Sequence, residues 1–186
     1  MLPPFLKNFY QKHNLRPVEC TWLIYVHILG LSGILYSVFR YDILHQVLIL
    51  NIQIFFIHCF YHLFFGLGIT GGAHRLWAHK SYHASTPLRI LLMLFNCGAN
   101  QGSIYHWSRD HRLHHKFSDT DLDPHNIKLG FFHSHVGWLL IKKTPELVEE
   151  GRKIDMTDLK NDPVVMFQKK HYLPLSLIIC FLLPSI

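Results

Sequence analysis

Thr21 to Phe39 reads TWLIYVHILGLSGILYSVF, without a Lys, Arg, Asp or Glu. That approaches the roughly 20 apolar residues a helix needs to cross a bilayer core. After a short break, RYD at Arg40 to Asp42, a second uncharged stretch runs from Ile43 to Thr70. It exceeds one crossing, so it must tilt or protrude. A helix buried in a large soluble core is the alternative, but 186 residues leave little protein to bury two such runs. The first run starts too far from Met1 to be a secretory signal, and no small-residue cleavage site follows it. The expected fold is therefore all-α and integral to a membrane, with the two spans forming a hairpin.

A hairpin puts both outer ends on one side. The N-terminal flank carries Lys7, Lys12 and Arg16, and the far flank carries Arg75, Lys80 and Arg89. Positive residues favour the cytoplasmic side. The expected organisation is a cytosolic segment over 1–20, a two-span hairpin over 21–70 and a cytosolic helical cap over 71–171. Leu173 to Ile186, LPLSLIICFLLPSI, is apolar but too short to cross. Residues 172–186 are expected to begin a truncated third span, with a tail lying in the interface as the alternative. Thr144 to Asp162 is polar and charged and is expected to be an exposed part of the cap, with a short helix starting at Thr157 or Asp158.

The net charge of +6 suits an anionic partner such as a membrane surface, a phosphorylated ligand or nucleic acid. Cys20, Cys59, Cys97 and Cys180 lie far apart and form no Cys-x-x-Cys pair, so they read as buried apolar residues. The 16 histidines outnumber the 12 acids, and ten of them fall between His74 and His135. His111, His114 and His115, in HRLHH, are spaced i, i+3, i+4, which puts all three on one helical face. Imidazoles converge in this way around a shared metal ion. His74 and His79, in HRLWAH, are spaced i, i+5, which a regular helix does not bring to one face. They approach one site if the helix leaving the second span ends or kinks near His79, and Gly71–Gly72 loosens the backbone there.

No Cys joins these clusters and no Glu-x-x-His occurs, which argues against structural zinc, a zincin site and a carboxylate di-iron bundle. Imidazole alone suits iron, zinc, copper and nickel. A titrating histidine surface is the plain alternative for the five clustered residues. His58 and His62, spaced i, i+4 within the second span, could ligate haem, though isolated residues such as His27, His45 and His171 are more simply interfacial or core residues.

Taken together, GAHRLWAHKSY, WSRDHRLHHKFSDTDLDPHN and GFFHSHVGWLL resemble the membrane fatty acyl-CoA desaturases of the delta-9 or stearoyl-CoA class. The resemblance runs from about the first span to the end of the chain. It implies a four-span protein of the endoplasmic reticulum membrane, with two iron ions held between histidines on the cytosolic side. It implies dioxygen as oxidant, cytochrome b5 as electron donor, a fatty acyl-CoA substrate among membrane lipids, and no nucleic acid. The reaction implied removes two hydrogens from adjacent methylenes and leaves a cis double bond. His74 and His79 match the first histidine box, and His111, His114 and His115 match the second. Arg109 and Asp110 match positions that contact the coenzyme A head, and Gln101 and Trp107 match residues that shape the acyl tunnel.

The chemistry agrees. Breaking a methylene C–H bond takes an oxidant that no side chain supplies, so a redox metal must carry it, and zinc has no redox couple. Ile90 to Tyr105 either walls a lipid-chain tunnel along the interface or packs as a buried helix. Lys142 and Lys143 suit coenzyme A phosphates or simply lipid headgroups. His125, His133 and His135 are expected to support the boxes or lie on the surface.

The chain also departs from the family pattern. Pro17–Val18–Glu19 stands where Trp-Arg-Asn is frequent, and Gly102, Ser103 and His106 stand where Asn, Asp and Glu are frequent. Nothing matches the third, C-terminal histidine box. The expectation is thus an N-terminal fragment that alone binds iron weakly or not at all and is inactive. A membrane fatty acyl hydroxylase and a non-enzymatic membrane subunit are the alternatives.

Overall fold

The computed structural model describes residues 14–40 and 51–185. Within them the α-helices are α1 (Pro17–Arg40), α2 (Asn51–Leu67), α3 (Thr86–Ala99), α4 (Ile104–Phe117), α5 (Trp138–Leu140), α6 (Pro145–Arg152), α7 (Thr157–Lys160) and α8 (Pro163–Ser176). Among the described residues the only β-pairing is an isolated bridge between Leu15 and Ile141. The all-α expectation holds. The expected break at Tyr41–Asp42, residues 43–50, Lys7, Lys12 and His45 lie outside the described residues.

The chain divides into two compact units. One comprises Met1–Ile54 with Phe117–Val148, the other Phe55–Lys116 with Glu149–Ile186. In the first, α1 is apolar on every side, and Ile24, Ile28, Leu31 and Leu35 are each more than half exposed. Water would not tolerate so broad an apolar surface on a monomer, whereas lipid would. Two helices, Pro17–Tyr36 and Phe55–Ala78, are long and apolar enough to cross a membrane, and the protein is a membrane protein. The foot of α1 is tied down by its backbone. The Arg16 N–H donates to the Leu140 carbonyl at 2.7 Å, and the Lys142 N–H donates to the Asn14 carbonyl at 2.9 Å. The loop after α4 is ordered by buried Asp123, whose carboxylate accepts the backbone N–H groups of Asp119 and His125, both at 2.8 Å.

In the second unit, α2 does not stop at Thr70. It passes directly into a π-helical segment, Gly68–Ala78, so His74 rides on the helix that leaves the membrane. Gly68 permits close packing there: a Cβ at this position would overlap the Phe95–Asn96 peptide of α3. Helix α3 starts after an extended Ser85 with a proline in its first turn and ends at Asn100 in the left-handed region, φ 52°. Its Leu92, Met93, Asn96 and Cys97 are buried while Leu88 and Leu91 are exposed. The stretch from Ile90 to Tyr105 is therefore not one element. It is half of an amphipathic helix, a turn, and the start of α4.

The core gathers Leu76, Trp77, Leu92, Met93, Cys97, Ile104, Met156, Leu159, Val164 and Val165. Met156 and Leu159 correct the expectation that Thr144–Asp162 is an exposed part of the cap. The segment is polar on average, but its few apolar residues close the core, and α7 forms at Thr157 as expected. Asp162 is also buried. It caps α8 by accepting from the Val164 and Val165 N–H groups, and it accepts from the Trp77 indole at 3.1 Å. Beyond α8 the chain stays helical, through a π-helical turn at Leu177–Leu182 and a 3-10 turn at Leu183–Ser185, although Pro174 lies inside α8.

Candidate metal centre

Histidines 74 and 79 meet because the helix that carries them is wound with a wide turn. In the π-helical segment the His79 N–H donates to the His74 carbonyl at 2.9 Å, an i to i−5 bond in place of i to i−4. The spacing that a regular helix separates is thereby brought together, and the two rings stand 4.5 Å apart, centroid to centroid. Lys80 follows in the left-handed region, φ 53°, and the helix ends. Helix α4 supplies His111 and His115, one turn apart.

The four imidazoles point their Nε2 atoms at each other. His79 Nε2 lies 3.1 Å from His74 Nε2 and 2.9 Å from His111 Nε2, and His115 Nε2 lies 3.0 Å from His111 Nε2. All four nitrogens lie within 4.8 Å of one another. Nitrogens bound side by side to one first-row ion, at about 2.0–2.1 Å each, stand about 2.9–3.4 Å apart. A neutral imidazole has one N–H to give, and ring-to-ring hydrogen bonding alone would leave lone pairs facing lone pairs. The donor set therefore fits a cation. Burial pushes His111 down to about 3, and His115, His74, His79 and His114 push it the same way. His79 is lowered too, by burial first and then by His74, His115 and Arg112. Both rings are thus neutral near pH 7, the form that binds metal.

His114 stands aside from this group, its ring centroid 6.1 Å from that of His111 and 5.5 Å from that of His115. Trp107 stacks on His111 with centroids 4.8 Å apart and an interplanar angle of 26°, and its indole N–H donates to Gln101 Oε1 at 3.3 Å. The two residues expected at the acyl tunnel thus meet beside the histidines. Arg109 and Asp110 pair with one another, through Nε and Nη2 to Oδ1 at 3.0 and 2.9 Å. His58 and His62 join no metal-competent group among the described residues.

Sequence reasoning missed two residues that hold the two boxes against each other. Buried Ser108 donates its hydroxyl to the Ala73 carbonyl at 3.2 Å, and Arg112 reaches the end of the π-helical segment. They lie four apart on α4, on the face that meets the π-helical segment.

No family model matches the chain. Curated proteins do. It is 64% identical over 120 residues to an acyl-CoA Delta-9 desaturase of Acheta domesticus, covering 64% of this chain and 33% of that protein. It is 50% identical over 165 residues to an acyl-CoA Delta(11) desaturase of Choristoneura rosaceana, covering 87% and 46% respectively. Over most of its length the chain is similar to proteins named acyl-CoA desaturases. Stearoyl-CoA desaturase 2 of Rattus norvegicus is 54% identical over 126 residues, covering 68% of this chain and 35% of its own length. The chain thus spans between a third and a half of the length of these relatives.

Proposed function

We propose that the protein serves the oxygen-dependent desaturation of a fatty acyl-CoA at a histidine-held iron centre. The observation that carries this is the convergence of four imidazole nitrogens within 4.8 Å at the end of an apolar helix, in a chain similar to proteins named acyl-CoA desaturases. Bound iron would supply the one-electron chemistry needed to break unactivated C–H bonds. His74, His79, His111 and His115 would hold one ion. His114 would be offered to the second ion of a pair.

In the overall change, two hydrogens leave adjacent methylenes and a cis double bond forms. Dioxygen accepts them with two electrons and two protons and leaves as two waters. The electrons come from an external donor of the cytochrome b5 kind. Trp107 and Gln101 would set the acyl chain beside the cluster, the indole giving an apolar wall whose N–H is already engaged. Arg109 and Asp110 would meet the coenzyme A head. The site would face the cytosol from the endoplasmic reticulum membrane, in keeping with Arg75, Lys80 and Arg89 flanking the second span.

Product analysis tests this reading. Membranes carrying the full-length protein, given a saturated acyl-CoA, oxygen and a reduced electron donor, should form a monounsaturated acyl product. Membranes carrying His111→Ala should not. A hydroxy acyl product alone would favour the hydroxylase. Iron-free protein with no acyl product would favour a non-enzymatic membrane subunit.

A further inference from the structure

We propose that Arg112 is a positioning residue for the four-histidine cluster, setting the separation of the two histidine boxes. The inference rests on the metal reading above. Its basis is a full accounting of one side chain. A guanidinium has five N–H donors and no acceptor, and in Arg112 each has an oxygen to meet. Nε donates to the Ala78 carbonyl at 3.2 Å. Nη2 donates to the Trp77 carbonyl at 2.7 Å and to Asp158 Oδ2 at 2.6 Å. Nη1 donates to the Asp155 carbonyl at 2.6 Å and to Asp158 Oδ1 at 3.0 Å.

The identity of those oxygens gives the role. The Trp77 and Ala78 carbonyls are among the last of the π-helical segment, where the helix leaves acceptors unpaired and its dipole is negative. A cation there closes the helix end immediately before His79. Arg112 itself sits between His111 and the rest of the second box. One planar group therefore links the backbone at His79 to the backbone at His111, whose Nε2 atoms lie 2.9 Å apart. The bidentate Asp158 carboxylate holds the guanidinium from the far side, and Lys80 reaches the same carboxylate at 3.2 Å. Ser108, one turn earlier on α4, makes the parallel bond to the Ala73 carbonyl beside His74. Lysine has three donors on a point charge and cannot reproduce the fork.

The experiment uses the full chain in detergent micelles with cobalt(II) as the probe, read by its ligand-field spectrum and by titration. Arg112→Gln and Arg112→Lys should each weaken cobalt binding by roughly 10- to 100-fold, the range seen when a ligand's supporting partner is lost. Both should also change the spectrum. Val165→Ala, which opens the same core at a fully buried site away from the histidines, should lower the unfolding temperature yet leave affinity and spectrum unchanged. Should Arg112→Gln fail to fold, Arg112→Lys and Asp158→Asn carry the same readout. A folded Arg112 variant with wild-type affinity and spectrum would overturn the proposal while the metal reading stands. Equal losses in Val165→Ala would overturn it as well, by reducing Arg112 to general stability. A wild-type chain that takes up no cobalt would remove the metal reading, and this inference with it.

Discussion

At the scale of single residues, the cluster separates histidines that the sequence groups together. His111, His114 and His115 share one helical stripe, yet only His111 and His115 join His74 and His79. The difference follows from the twist of α4: residues four apart meet a neighbouring helix end together, while one set a turn-fraction aside misses it. Removing His111 should therefore cost the first ion more than the roughly 10- to 100-fold that loss of a supporting partner costs. His114→Ala should leave cobalt affinity for that first ion within about threefold of wild type, inside ordinary context scatter. Titration of cobalt against both variants checks this, and equal losses would put His114 among the first ion's ligands. The five ligand candidates were legible from spacing and residue type. Arg112 was not, because a charged residue inside a basic run looks like surface, and only its carbonyl partners, more than thirty positions upstream, show otherwise.

Among the elements, the π-helical segment was half visible. The i, i+5 spacing of His74 and His79 demanded a departure from the regular helix, and the glycines marked where. The form of the departure was hidden, since sequence periodicity distinguishes poorly between a kink and a wide turn. Nor did Gly71–Gly72 announce that Gly68 is the tight contact. Gly68→Ala should force α2 and α3 apart and destabilise the second unit by about 1–3 kcal/mol, the usual cost of overpacking. Gly71→Ala, with only a Leu92 methyl near its Cβ at 3.9 Å, should cost less. Thermal unfolding in micelles compares them.

The carboxylate that holds Arg112 also makes a pH prediction. Burial alone would raise the Asp158 carboxyl, but Arg112 and Lys80 outweigh it and hold the group below its ordinary value of 3.8. A depressed acid adds stability that is present above the unfolded-state value and lost as pH falls through the folded one. Acid unfolding of the wild type should therefore steepen below about pH 4 relative to Asp158→Asn, which lacks the titrating group.

For the whole molecule, membrane residence was the plainest message of the sequence, because a long uncharged run leaves few other solvents for its surface. Alkaline carbonate washing should leave the protein in the membrane pellet, and release into the supernatant would contradict the two spans. The core was harder to foresee. Met156, Leu159 and Asp162 sit in a stretch whose average polarity hides them, and burial there depends on which helices arrive from elsewhere in the chain.

The unbroken run from α2 into the first histidine box makes the span and the candidate ligand His74 one continuous helical rod. No hinge separates the lipid-facing surface near Phe55 from His74. The helix therefore acts as a ruler whose graduations are residues. Each residue inserted below His74 would lift that imidazole by about 1.5 Å and swing it by about 100°. Bilayer depth and imidazole direction are thus set by one residue count, so thinning or thickening the membrane around this helix would move His74 as well as the anchor.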